Sequence, residues 1–239
     1  MYNNIKGKGG GDMFGTGNKT RLDSSWSRME YFRHFYDDAP CAVSLCDDID
    51  VTALTDACAE NGEVFYHAML YTVTKVINAH EEFRLTAVES PEDEFVMPAV
   101  WDTVHPAHNV FHKDTETFTS LFTLWDEDYR VFVDRVRDDL DRARIIHTRA
   151  VPCPPNTFEA SCLPWRHFTS VGVETEGFDL APMVVWGKAE MRNGRAMMPL
   201  MIRAHHAACD GFHLARFLNE AEEAALALAQ KLPDNKYRR

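Results

Sequence analysis

"AHHAACDGFH", residues 204–213, lies between two apolar elements of different period. Upstream, "AMMPLMIRAH" (196–205) reads as a strand. Downstream, "GFHLARFLNEAEEAALALAQKL" (211–232) repeats its apolar residues at helical spacing and predicts a helix. The stretch is therefore a strand end, a turn and a helix start. It carries His205, His206, Cys209, Asp210 and His213, with Gly211 expected to supply backbone freedom. Three chemistries fit. His206, Cys209 and His213 are ligand types that suit zinc, but no second ligand pair stands elsewhere at a diagnostic spacing. A polar turn needs no further role. A neutral histidine at a strand end is also suited to take a proton from a hydroxyl, with Asp210 fixing the loop by pairing with an arginine.

Further out, "SSWSRMEYFRHFYDD" (24–38) predicts a first helix capped by Ser24 or Ser25. "CAVSLCDDIDV" (41–51) alternates and reads as a strand, and "TALTDACAEN" (52–61) as a short helix ending near Gly62. "FYHAMLYTVTKVINAH" (65–80) is apolar around most of its circumference, so it predicts a buried helix. Strands are expected in "FRLTAV" (83–88), "FVMPAVWD" (95–102) and "NVFH" (109–112). "WDEDYRVFVDRVRDDLDRARII" (125–146) is an amphipathic helix with Tyr129, Phe132, Val133 and Val136 on one side. Two more strands are expected in "WRHFTSVGVE" (165–174) and "APMVVWGKAEM" (181–191). The order lacks a strict β-α alternation. It predicts an α+β fold with helices packed on one large mixed sheet.

The 239 residues suffice for one domain with a large core, expected over 19–239. Residues 1–18 hold six of the twelve glycines and read as a flexible extension. A net charge of -12 argues against a nucleic-acid partner. No apolar run reaches the ~20 residues of a membrane span, and no secretory signal is visible, so a cytoplasmic protein is expected. The six cysteines form no CxxC pair and read as reduced thiols.

"HHAACDGFH" carries the His-His-x-x-x-Asp-Gly signature of the chloramphenicol acetyltransferase superfamily. "SRMEYFRHF", "INAHEEFRL", "VWDTVHP", "VFHKDTETF" and "SCLPW" resemble the type-A enzymes of that family in the same order, over about residues 20–231. The resemblance implies a two-layer sandwich and an O-acetyltransferase that moves acetyl from acetyl-CoA to a hydroxyl of chloramphenicol, inactivating the antibiotic. Acetyl-CoA enters as co-substrate, and neither a permanent cofactor nor a metal is implied. It further implies a homotrimer with active sites between subunits.

Carried over position by position, the resemblance makes His206 the general base and Ser161 the hydrogen-bond donor to the tetrahedral oxyanion. Asp210 becomes a structural residue paired with Arg28. Acceptor-binding positions fall on Phe35, Ala39, Cys41, Val43, Asn109, Phe118 and Val185, and coenzyme A positions on Tyr66 and Trp165. The sequence departs from the family where Val185 replaces a threonine that helps hold a water, where Asn109 replaces another threonine, and where Val64 replaces a lysine toward the coenzyme end. Phe35, Ala39 and Val43 also differ from the larger or hydroxylated groups of familiar members. A same-fold acetyltransferase with another hydroxyl acceptor is therefore the alternative. A third reading is a trimer that binds a drug or metabolite without turnover.

Overall fold

The computed structural model describes residues 17–89, 91–173 and 179–232. In chain order the elements begin with strand β1 (Lys19–Arg21), helix α1 (Met29–Arg33) running into a π-type turn (His34–Asp38), and β2 (Ala42–Asp50). Then come α2 (Thr52–Asn61), α3 (Phe65–Ala79), a short 3-10 helix (Glu81–Arg84), β3 (Leu85–Val88) and β4 (Met97–Trp101). They are followed by β5 (His105–His112), β6 (Thr117–Phe122), α4 (Tyr129–Ala143) and β7 (Thr157–Leu163). The described chain closes with β8 (Met183–Gly187), β9 (Glu190–Arg192), β10 (Arg195–His205) and α5 (Gly211–Lys231).

A seven-stranded mixed sheet runs β2-β10-β8-β7-β5-β6, with β9 beside β10. Among the described strands only β7 runs parallel to its neighbours, β5 and β8. A second, antiparallel sheet of three strands, β1-β4-β3, accompanies it. Helices cover one face of the large sheet. On β10, Met198, Leu200, Ile202 and Ala204 enter the helix-side core, as do Val184 and Trp186 on β8 and Phe158 and Ala160 on β7. The period of two then turns Met201, Arg203, Val185, Glu159 and Ser161 to the opposite face. Helix α3 is buried along most of its length, as its all-round apolarity predicts. Gly62 ends α2 in the left-handed conformation (φ 67°), which favours glycine. In α4, Asp128 caps the first turn by accepting from the N–H groups of Arg130 and Val131.

Several expectations need correction. The first helix starts at Met29 rather than after a serine cap. The Asp23 carboxylate instead accepts both the N–H (2.8 Å) and the hydroxyl (2.5 Å) of Ser25, a local turn that competes with helix. No strand forms over the described part of 165–174. That segment lays Phe168 against Gly187, where an added Cβ would meet the ring at 2.8 Å. Strand β7 lies just upstream instead. Strands β1 and β6 are also additions to the sequence reading. Of the expected N-terminal extension, residues 1–16 lie outside the described residues. Gly17 and Asn18 belong to the fold: the Asn18 carbonyl accepts from the Asp102 N–H, and the Asn18 N–H donates to the Asp102 carboxylate.

Candidate active site

The turn after β10 is built by its own backbone. The His205 carbonyl accepts from the N–H groups of Ala208 (2.9 Å) and Cys209 (3.0 Å). Its Nδ1 accepts from the Ala207 N–H (3.1 Å), so a neutral His205 carries its proton on Nε2. Burial lowers the His205 pKa and keeps the ring neutral. His206 is held on three sides. Its N–H donates to the Cys41 carbonyl (2.9 Å). Its Nδ1 lies 2.8 Å from the Cys209 carbonyl oxygen, and Phe35 stacks on its face at 3.9 Å between centroids, 26° from parallel. A carbonyl only accepts, so Nδ1 carries the proton. In the neutral ring Nε2 then holds the lone pair. Among the described residues Nε2 has no hydrogen-bond partner.

Asp210 closes the turn as the N-cap of α5. Its carboxylate accepts from the Phe212 N–H (3.1 Å) and from Arg28 Nη1 (2.9 Å), while its own N–H donates to His213 Nδ1 (3.1 Å). Burial alone would raise the Asp210 pKa; the Arg28 hydrogen bond and the charges of His213 and Arg28 outweigh it, and the net shift is downward. Gly211, expected to supply conformational freedom, has no positive φ and is simply the first residue of α5. The ligand types of the zinc reading do not converge. His206 and His213 use Nδ1 within the turn, and the Cys209 thiol is buried toward the Glu82 carbonyl (3.7 Å), where burial raises its pKa. Among the described residues no group of three or more His, Cys, Asp or Glu is arranged to hold a metal.

The remaining expected site residues sort into two places. Phe35, Ala39, Cys41 and Val43 lie with His206: Phe35 stacks on it, Cys41 holds its N–H, Val43 pairs with Ala204 in register, and Ala39 ends the π-type turn. Ser161 lies elsewhere, paired across β7 and β8 with Val185, which in turn pairs with Met201 on β10. Asn109 accepts from the Ser120 hydroxyl (2.6 Å) on the same sheet face. Phe118 pairs with Phe111 and is exposed. His206 is five residues beyond Met201 and two strands away from Ser161. At ~3.3 Å per residue and ~4.8 Å per strand, roughly 15–20 Å separates His206 from Ser161 within one chain.

The two positions that the resemblance assigns to coenzyme A differ in kind. Trp165 is exposed, with its ring edge-on to Phe111 at 4.9 Å. Tyr66, in the first turn of α3, turns its hydroxyl inward to His108 Nδ1 (2.9 Å). Val64 is the exposed N-cap residue of the same helix. Cavities of about 540 Å³ (around Arg21, Arg33, Asp93 and Phe95) and about 490 Å³ (around Leu121, Arg135, Asp139 and Val151) include neither His206 nor Ser161.

The family model of chloramphenicol acetyltransferase matches residues 18–222. The chain belongs to the chloramphenicol acetyltransferase family. It is 38% identical over 209 residues to a chloramphenicol acetyltransferase of Campylobacter coli, covering 85% of this chain and 97% of that one. It is 37% identical over 203 residues to one of Streptomyces acrimycini, covering 83% and 90%. A solved chloramphenicol acetyltransferase superposes with a TM-score of 0.74 at 23% identity, over 87% of this chain and all of the other. A dihydrolipoamide acetyltransferase of Azotobacter vinelandii shares the fold more distantly (TM-score 0.60, 16% identity, 85% and 88% covered). The α+β architecture with its large mixed sheet is thus that of chloramphenicol acetyltransferases, as the signature turn implied. Sequence reasoning did not find the Phe35–His206 stack or the partners of Tyr66, because no motif spacing links such distant residues.

Proposed function

We propose that this chloramphenicol acetyltransferase family member transfers acetyl from acetyl-CoA to a hydroxyl of chloramphenicol, with His206 as general base. The carrying observation is the His206 ring itself: Nδ1 is tied to the Cys209 carbonyl, and among the described residues Nε2 keeps its lone pair without a hydrogen-bond partner. In this reading Nε2 takes the proton as the chloramphenicol hydroxyl oxygen attacks the thioester carbonyl carbon. The Ser161 hydroxyl donates to the resulting oxyanion, a contribution of a few kcal/mol to the barrier for one well-aimed donor. Collapse breaks the carbon–sulfur bond, and the leaving thiolate recovers the proton from the imidazolium. No acyl-enzyme forms.

The separation of His206 and Ser161 supports a site made by two chains, His206 from one and Ser161 with Val185 from its neighbour. A cyclic homotrimer provides three equivalent sites of this kind. Arg28 and Asp210 hold the turn. Phe35, Ala39, Cys41, Val43, Asn109, Phe118 and Val185 are assigned to the acceptor, and Tyr66 and Trp165 to coenzyme A. The deciding experiment is thiol release by the purified protein with acetyl-CoA and chloramphenicol. Release that depends on chloramphenicol is the expected result. Release with another alcohol only would move the assignment to the alternative acceptor favoured by Val185 and Asn109. Coenzyme A binding without release would favour the non-catalytic reading.

A further inference from the structure

A chain of buried hydrogen bonds runs from Tyr66 to α4. Tyr66 Oη meets His108 Nδ1 at 2.9 Å, His108 Nε2 meets Thr123 Oγ1 at 3.0 Å, and Thr123 Oγ1 meets Asp139 Oδ2 at 2.8 Å. His108 and Thr123 are fully buried. The far oxygen of Asp139 is ion-paired with Arg142.

Elementary donor and acceptor chemistry gives this chain one direction. An ionised Asp139 only accepts, so Thr123 spends its single proton on it. Thr123 can then only accept from His108, which must donate through Nε2. A neutral His108 has its other nitrogen bare, so the Tyr66 hydroxyl donates to it. Burial favours the same state: it pushes the His108 pKa down to about 3 and the Tyr66 pKa up. A 180° flip of the imidazole, or a turn of the phenol away from it, would leave a fully buried group unpaired. The Tyr66 ring is thereby held beside Trp186, at 5.8 Å between centroids. Trp186 pairs with Cys162, the residue after Ser161.

We propose that His108, Thr123 and Asp139 are positioning residues for Tyr66, and through it for the acetyl-CoA end of the site. The inference rests on the acetyltransferase reading, in which Tyr66 meets the coenzyme. None of the three residues touches substrate. Their effect is to hold the Tyr66 ring in one orientation before the coenzyme arrives, so that binding need not immobilise it.

The test is steady-state kinetics of the purified full chain with acetyl-CoA and chloramphenicol varied separately. His108→Phe removes both links, and Thr123→Val cuts the chain at the next link with little change of shape. Each should raise KM for acetyl-CoA by about two- to tenfold, the worth of one net hydrogen bond. KM for chloramphenicol should stay within about twofold, a shift too small to represent a lost hydrogen bond. In a Tyr66→Phe background, His108→Phe should add nothing further, because the two act as one unit. If His108→Phe fails to fold, Thr123→Val in both backgrounds gives the same comparison. An active wild type whose variants lose thermal stability but keep their acetyl-CoA KM would overturn the inference alone. So would a His108→Phe effect of equal size with and without the Tyr66 hydroxyl. A wild type that releases no thiol would overturn the acetyltransferase reading, and this inference with it.

Discussion

His206 Nδ1 is hydrogen-bonded to the carbonyl oxygen of Cys209, three residues ahead in the same turn, at 2.8 Å. One backbone oxygen thus selects the tautomer of the ring and leaves Nε2 as the only nitrogen able to receive a proton. No carboxylate is needed for that task, and Asp210, the nearest in sequence, is engaged by Arg28 and by the α5 backbone. His206→Ala should lower the transfer rate by at least about a hundredfold, the lower end for removal of a general base. Its far-ultraviolet circular dichroism and its assembly state should match the wild type. A variant that keeps more than about a hundredth of the rate would remove His206 from the assignment.

The distance between His206 and Ser161 gives a second prediction. His206→Ala and Ser161→Ala chains should each be nearly inactive alone. Refolded together in equal amounts, they should recover about a quarter of the wild-type rate. In a cyclic trimer every mixed ring contains one junction with both residues intact. If both residues served a site within one chain, mixing would recover nothing.

The Arg28–Asp210 pair is only half-buried, with side-chain exposures of 19% and 38%. The full cost of breaking a buried pair therefore does not apply. Asp210→Asn keeps a capping side chain and loses the charge, and should cost about 1 kcal/mol in urea unfolding. Asp210→Ala loses the cap as well and should cost about 2 kcal/mol. Equal losses in the two variants would show that the cap contributes nothing beyond the ion pair, and an Asp210→Asn variant as stable as wild type would show that the ion pair contributes nothing beyond the cap.

Val185 is buried beside Ser161 in register, on the sheet face turned away from the helices. Threonine there has nearly the same shape and, in the proposed mechanism, would offer a hydroxyl to a water next to the oxyanion. Val185→Thr should raise the turnover rate a few-fold with little change in acetyl-CoA affinity. An unchanged rate on chloramphenicol, alongside good acetylation of another alcohol, would shift the explanation to Phe35, Ala39, Val43 and Asn109.

Two buried histidines make the fold sensitive to acid. Burial pushes His67 down to about 4, helped by the charges of Arg137 and Arg144, and His108 down to about 3. Unfolded, each titrates near 6.5. The unfolded chain therefore binds more protons below that value. Their contribution to stability is complete above about pH 6.5 and is lost as pH falls toward 4 and then 3. From pH 7 to pH 5 each should cost about 2 kcal/mol, read from urea midpoints at the two pH values. His108→Asn should flatten that dependence, and a slope equal to wild type would show that His108 does not titrate in this window.

Local pattern alone determined a good deal of this protein. The all-round apolarity of 65–80, the one-sided stripe of Tyr129, Phe132, Val133 and Val136, and the strand–turn–helix around His206 each lie within one window of chain. A residue's neighbours there are set by helical or strand period. The signature turn led from those elements to the family, and with it to the Arg28–Asp210 pairing, which the structure contains at 2.9 Å. Strand β7 escaped that kind of reading. As an interior parallel strand it pairs on both sides, and the small residues Ala160, Ser161 and Cys162 hide its apolar signal. The π-type turn that brings Phe35 onto His206 and the route from Tyr66 to Asp139 were equally invisible. Only tertiary structure decided that His206 and Ser161 stand far apart in one chain. That distance is set by the register among β7, β8 and β10, strands distant in sequence, and no periodicity along the chain encodes such a pairing.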